Sequence, residues 1–402
     1  MVHIISAVAV GLLGLTSVVS AHPGHDHAAE AAERAAFVKS SSLQTRSLAN
    51  CASQLKARGL ENKNVARRQA AVKHLRRRRG INTHAHFNKA RSLDSVLNTD
   101  HHSNLTQVDM STDPSILFGS EATCILGPDV TQGPYCKSSQ QTHFPHHILI
   151  NTDVTGELIR ENIVEGQKGV PLYMDIQMID TNTCNPLPNV YMDIWHCNAT
   201  GVYSGIQANG NGNSADADNL DATFLRGIQA SNADGIVQFT SIFPGHYTSR
   251  ATHIHVLTHA ANDTSVQANS TLSDLYTAHS SHIGQLFFDQ DLISAVEKTS
   301  PYSTNTQDLT TNANDSILSE EADTIDPFME YVYLGEDVSD GIFAWINVGI
   351  DSTEDSDVTP AAYYTEEGGV ENESSGMGGG SGSPPGSSSS STSSAAGVKS
   401  TA

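Results

Sequence analysis

Two tyrosines and two histidines, Tyr203, Tyr247, His253 and His255, stand in the stretch 190–259 and are the residues here best suited to chemistry. His253 and His255 alternate with Thr252, Ile254 and Val256, so in a strand both imidazoles leave the same face. Pro244-Gly245-His246-Tyr247 reads as a turn that brings a phenol back beside that face. Tyr203 follows Thr200-Gly201-Val202 at the end of another apolar run. Imidazole nitrogens and phenolate oxygens form a hard donor set, better matched to a ferric ion than to zinc or copper(I). A free tyrosine ionises near ~10, so two phenolates at neutral pH call for a strongly Lewis-acidic metal. Spacing alone leaves a second reading open, in which His253 and His255 are two histidines of an ordinary secreted β-protein.

The elements that must position these groups are short and β-rich. From about 145 to 350 the runs HILINT, PLYMDIQMI, VYMDIWHC, GIVQFTSI, ATHIHVLT, GQLFF, YVYLG and GIFAWINVGI are separated by Gly, Pro, Asn and Asp. Several alternate, as Val190, Met192, Ile194 and His196 do, which predicts an all-β sandwich or partial barrel. Helices are few, with DLISAVEK (291–298) one candidate. The polar stretch 209–221 is expected to be a loop over the cleft, and Phe239, Ile242 and Phe243 are expected in the core.

Carried along these elements is a series of local motifs: Gly133-Pro134-Tyr135, RENIVEGQKGVPL (160–172), Asp193-Ile194-Trp195-His196 leading to Gly201-Val202-Tyr203, and Phe224-Leu225-Arg226-Gly227. Asp234-Gly235, Pro244-Gly245-His246-Tyr247, Arg250-Ala251-Thr252-His253-Ile254-His255 and Gln285-Leu286-Phe287-Phe288 complete the series. In order and rough spacing it resembles the intradiol ring-cleavage dioxygenases, non-haem iron(III) enzymes that open catechols between the two hydroxyls. The resemblance implies an iron(III) cofactor held by Tyr203, Tyr247, His253 and His255. It also implies that Tyr247 yields its place to an incoming catechol, that Arg250 stabilises negative charge developing on the ring, and that Gln285 orients substrate or peroxide. Tyr135 either lines the substrate mouth or packs under its loop. The family usually has proline between the arginine and the H-x-H, where this chain has Ala251-Thr252. The implied activity is ring opening of an aromatic diol with O2 to a muconate-type diacid. Two other readings are a secreted metal-binding β-sandwich without turnover and a structural domain without redox chemistry.

The flanking regions differ from this body. Residues 1–21 read as a secretory signal peptide, with Ile4 to Val19 as its apolar core and Val19-Ser20-Ala21 before the cut. Fifteen of the 22 lysines and arginines lie between Arg34 and Arg91, ending near the run Arg76-Arg77-Arg78-Arg79. Leu48, Cys51, Leu55, Val65 and Val72 suggest a partly amphipathic helical segment interrupted by Gly59. Residues 22–79 are therefore expected to be a basic pro-segment removed after the arginine run, with a retained arm paired to the acidic body as the alternative. The body, 112–352, is strongly acidic, and the whole chain has a net charge of −22, which argues against nucleic acid and for a soluble extracellular protein. No later stretch is long and apolar enough to span a bilayer. His22-Pro23-Gly24-His25-Asp26-His27 is a solvated histidine-rich tail or, less simply, part of a copper site.

Of five cysteines, loss of Cys51 would leave Cys124, Cys136, Cys184 and Cys197, enough for two disulfides in a secreted protein. Cys184 and Cys197 bracket a Pro-rich turn and suit a bridge across a hairpin, with Cys124 and Cys136 closing the preceding loop; four cysteines allow three pairings. Asn104, Asn198, Asn262, Asn269, Asn314 and Asn372 begin glycosylation sequons, of which Asn198 is expected to carry no glycan or to point away from the cleft. The tail 353–402, acidic and then Ser/Gly-rich, is expected to be disordered.

Overall fold

The computed structural model describes residues 48–84, 114–118, 123–125, 158–205, 211, 219, 221–260, 265–266, 270, 272–273, 280–322, 326–353, 362–365 and 368–371. The signal peptide, the histidine-rich stretch, Tyr135, Cys136, the HILINT run and the Ser/Gly-rich end lie outside these residues.

Strands build two stacked sheets. In the first, β11 (Ile342–Ile350) is central. It pairs in parallel with β2 (Pro171–Asp180) on one edge, and β2 pairs antiparallel with β5 (Ile236–Ile242). Its other edge is shared by β10 (Glu330–Tyr333, antiparallel) and β1 (Thr123–Ile125, parallel). The second sheet is antiparallel throughout, in the order β4 (Arg226–Ala230), β3 (Tyr191–Trp195), β6 (His253–His259), β9 (Ser280–Phe287). The fold is thus a sandwich. Alternation assigns the faces: Leu172, Met174, Ile176 and Met178 of β2 and Ile342, Ala344, Ile346 and Val348 of β11 meet Met192, Ile194, Ile254, Val256 and Leu286 of the second sheet in one core. Phe239 and Phe243 join it, as expected. β4 was not foreseen as a strand, because Arg226-Gly227-Ile228-Gln229-Ala230 has no clear alternation; Gly227 sits there because a side chain would strike Ile163 and Arg160. Two short hairpins, β7 (Ser265–Val266) with β8 (Leu272–Ser273) and β12 (Ala362–Thr365) with β13 (Gly368–Glu371), stand apart. The second pair amends the expectation of a wholly irregular tail: Ala-Tyr-Tyr-Thr is strand-prone and sits just before the Gly/Ser-rich composition begins.

The other face of the first sheet is covered by the basic segment. Helix α1 (Ala52–Ala57) and helix α2 (Leu60–Arg78) are separated by Gly59, whose φ of 67° only glycine adopts freely. α2 buries Asn64, Arg68, Val72 and Arg76, four residues apart, on one stripe. That stripe meets the outward residues of the sheet. Arg67 grips both oxygens of buried Asp175 at 2.9 and 2.7 Å, Asn64 donates to Gln177 at 2.7 Å, and Arg68 donates to Asn347 at 3.1 Å. Arg68 also lies over the Trp345 ring, and Val65 and Val72 pack with Phe343, Trp345, Leu117 and Phe118, the last two from helix α3 (Pro114–Phe118). Arg76, first of the arginine run, is buried and donates to the Leu334 carbonyl at 2.8 Å. In the full chain the basic segment packs against the acidic body.

The cysteines correct the expected pairing. Cys184 is joined to Cys51, with Cα atoms 5.2 Å apart, while Cys197 is a buried free thiol donating to the Gly245 carbonyl at 3.2 Å. Cys184 and Cys197 do not flank a hairpin, since β2 and β3 belong to different sheets.

Candidate metal and catalytic centre

The outer face of the second sheet carries the four residues. Ile254 and Val256 point into the core, so His253 and His255 leave β6 on the other side. Register places Trp195, His255 and Gln285 in one row across β3, β6 and β9, and Phe287 opposite His253. Tyr247 arrives just before β6. The reversal comes one turn later than the expected Pro-Gly-His-Tyr turn: Tyr247 bridges to Arg250 across Thr248 and Ser249, with Ser249 at φ 78°. Tyr203 lies in the loop after β3, its main chain gripped by two asparagines. Asn211 accepts from the Tyr203 amide at 2.7 Å, and Asn211 and Asn219 donate to its carbonyl at 2.9 and 2.6 Å. The polar stretch 209–221 therefore helps to hold the phenol through these two residues.

Two glycines let the tyrosine segments approach. At Gly201, with φ of 78°, a side chain would collide with the His246 carbonyl; at Gly245 it would collide with the backbone of Asn198 and Ala199. Backbone lies against backbone, and the rings of Tyr203 and Tyr247 meet edge-on with centroids 5.5 Å apart. Asn198 is engaged in the same turn. Its side-chain oxygen accepts from Thr200 and Val202, and its amide donates to Gln167 at 3.3 Å.

All four candidate ligands are buried: Tyr203 and His255 are 0% exposed, His253 1% and Tyr247 3%. His253 Nε2 lies 3.1 Å from His255 Nε2 and 3.2 Å from the Tyr247 hydroxyl. The Ala251 carbonyl, 2.6 Å from His253 Nδ1, keeps the proton on that nitrogen and turns the Nε2 lone pair toward the tyrosines. Tyr203's hydroxyl makes no hydrogen bond of ordinary geometry to any described residue. Burial pushes its pKa well above the ordinary value, and the neighbouring Tyr247 adds to the rise. A phenolate there needs a cation beside it. Among the described residues no group of three or more His, Cys, Asp or Glu offers another metal site. The donor set, two imidazoles and two phenols with neighbouring rings and one phenol oxygen without an ordinary hydrogen bond, has the chemistry to fit a ferric ion.

Arg250 and Gln285 join this cluster. Arg250, wholly buried, donates through one terminal nitrogen to Gln285 Oε1 at 2.5 Å and through Nε to Asp315 Oδ2 at 2.9 Å. Asp315 was not anticipated. The usable signal was Asn-Asp-Ser ahead of Ile317-Leu318, a helix-start pattern for α5 (Ser316–Ala322), which follows α4 (Gln290–Val296), the helix expected from DLISAVEK. Asn211 and Asn219 had no such signal. A groove of about 460 Å³ between α2 and the first sheet, lined by His74, Arg78, Tyr173, Phe239 and Phe343, touches none of the site residues.

Residues 144–325 match the family model described as Dioxygenase, a span that contains all four candidate ligands, Arg250, Gln285 and Asp315. The matched segment, just under half of the chain, is similar to the intradiol ring-cleavage dioxygenases. Among solved structures, the chain is similar to an intradiol ring-cleavage dioxygenase from Tetranychus urticae, at 26% identity over 58% of this chain and 98% of that one, with a TM-score of 0.42. It is also similar to the dioxygenase domain of a carbohydrate-binding fusion from Streptomyces sp. SirexAA-E, at 19% identity over 54% and 98% of the two chains and a TM-score of 0.30. The catechol 1,2-dioxygenase from Pseudomonas arvilla C-1 aligns at 16% identity over 59% of this chain and 67% of that one, with a TM-score of 0.32. No curated protein matches.

Proposed function

We propose that the domain is an extracellular iron(III) dioxygenase that opens catechol-type rings between the two hydroxyls, consuming O2 and releasing a muconate-type diacid. The observation that carries this reading is the buried convergence of Tyr203, Tyr247, His253 and His255 with Arg250 and Gln285 alongside. Tyr203, Tyr247, His253 and His255 would hold the metal. Bound there, ferric iron supplies the Lewis acidity and electron-accepting capacity that make a chelated catecholate reactive toward dioxygen.

The chain's own residues do the rest. Tyr247 Oη lies beside His253 Nε2 and, ionised by a bound metal, would take a proton from a catechol hydroxyl. Arg250 presents fixed positive charge in a dry site to negative charge developing on the ring. Gln285, facing His255 across the ladder, orients oxygen atoms by hydrogen bonding. Tyr135 is proposed at the substrate mouth. An extracellular setting is supported by the apolar leader sequence, the sequons and the Cys51–Cys184 disulfide, a bond that persists in oxidising compartments.

The test is iron content, a visible spectrum and oxygen uptake with catechol on the purified protein. One iron per chain, a ferric-phenolate band and oxygen consumption are expected. A coloured protein that consumes no oxygen would favour a metal-binding domain without turnover, and a colourless preparation that stays so after iron reconstitution would end the proposal.

A further inference from the structure

Asp315 makes more contacts in the site than any capping role requires. One carboxylate oxygen, Oδ2, accepts from Arg250 Nε at 2.9 Å and from the Ala251 amide at 2.7 Å. The other, Oδ1, accepts from the amides of Ile317 and Leu318 at 2.9 and 3.1 Å, the first turn of α5. The carboxylate is 1% exposed, and its partner Arg250 is 0% exposed. Charge-assisted bonds of this kind in a dry setting are strong and directional. Gln285 holds the guanidinium from a second direction, at 2.5 Å. Held through Nε on one edge and a terminal nitrogen on another, the guanidinium plane has no freedom to swing. The bond to Ala251 pins the backbone two residues before His253. A side-chain acceptor thus restrains the entry to the ligand strand.

We infer that Asp315 is a positioning residue of the proposed ring-cleavage reaction, aiming the Arg250 cation at the substrate and setting the start of β6, with the helix cap as a secondary duty. This rests on the function proposed above. The residue does not reach the reacting atoms itself. It acts through the orientation of Arg250, so its loss lowers turnover while iron still binds.

The experiment compares wild type, Asp315→Asn and Asp315→Glu as iron-loaded proteins. Four quantities are read: iron per chain, the position of the visible band, catechol affinity by optical titration, and kcat. Asn keeps the shape and a capping oxygen but faces Arg250 with no charge. For it, iron content and band position are expected to match wild type, with kcat reduced about ten-fold or more, as misplacement of a catalytic group does. Glu keeps the charge and is expected to recover part of that loss. A mere capping role predicts a lowered melting temperature with kcat of the folded protein untouched, and that result overturns the inference. Unchanged turnover in Asn alongside an active wild type removes this inference alone; an iron-free, inactive wild type takes down the proposed function and this inference with it.

Discussion

Both sheets of the sandwich bury polar side chains on the face turned away from the core, yet the two faces end differently. On the first sheet every carboxylate and amide in the row has a protein partner: Asp175 has Arg67 and Gln238, Gln177 has Asn64 and the Asp234 carbonyl, and Asn347 has Arg68. That face is electrically closed, and α2 closes it. On the second sheet the polar groups face one another instead, with two Nε2 atoms 3.1 Å apart and a phenol that finds no ordinary hydrogen bond. A buried polar cluster that the protein completes is structure; one that it leaves incomplete is available for a ligand.

The contrast breaks most sharply at Tyr203. Substituting phenylalanine removes the unsatisfied oxygen, so Tyr203→Phe is expected to fold with unchanged secondary structure and to lose its iron, its visible band and oxygen uptake. Iron retained at wild-type stoichiometry would show that the second face is closed in its own way. On the first face the opposite is expected. Arg67→Ala strands the Asp175 carboxylate and should cost about 3 to 5 kcal/mol of stability by urea denaturation, leaving iron content of the folded fraction intact. Burial pushes the Asp175 pKa up, but the hydrogen bond and charge of Arg67 and the charge of Arg68 prevail and hold it below its ordinary 3.8. The wild-type contribution is therefore full above pH 3.8 and lost as pH falls through the folded value; in the Arg67 variant this acid loss should shrink, since Arg68 and Gln238 stay beside the carboxylate.

Cys51→Ser opens the link between the basic segment and the body, and a loss of about 2 to 4 kcal/mol is expected. The same bond sharpens the question of processing. A cut after Arg79 would leave the segment that ends at Arg79 attached through Cys184, so reductant should release a separate fragment only from a cleaved protein. Acid titration probes the histidines that lie outside the proposed ligand set. Burial pushes His196 and His259 down to about 4, so the unfolded chain binds their protons first as pH falls below 6.5. Stability should decline by about 2 kcal/mol per histidine by pH 5, and each change to asparagine should flatten the profile measured from pH 7 to 5. The smallest effect is expected at Asn219. Asn219→Ala loosens the Tyr203 main chain, and iron affinity by competition with a chelator should fall about 10- to 100-fold with stability little altered.

Much of the site was legible because its residues lie in short, self-contained contexts. His253 and His255 declare a shared face by a two-residue spacing, and Gly201 and Gly245 mark tight approaches beside the tyrosines. The strands were legible wherever one face is apolar. β4 was not, since Gly227 answers to Ile163 and Arg160 from a distant loop. The disulfide was not, because the hairpin inferred between Cys184 and Cys197 joins strands of different sheets. α2 was visible only in part, because Asn64, Arg68 and Arg76 on its buried stripe look like solvent residues until Asp175, Asn347 and the Leu334 carbonyl stand opposite.

Alone, the sequence determined the candidate donors, the strand that carries two of them and the resemblance to a family, because residue chemistry and local periodicity depend on near neighbours. Tertiary structure decided which groups are completed. Asp315 reaches Arg250 across 65 positions, Arg67 reaches Asp175 across 108, and Cys51 reaches Cys184 across 133. Partners so distant in the chain carry no mutual signal in spacing, and only folding brings their charges and hydrogen bonds within range.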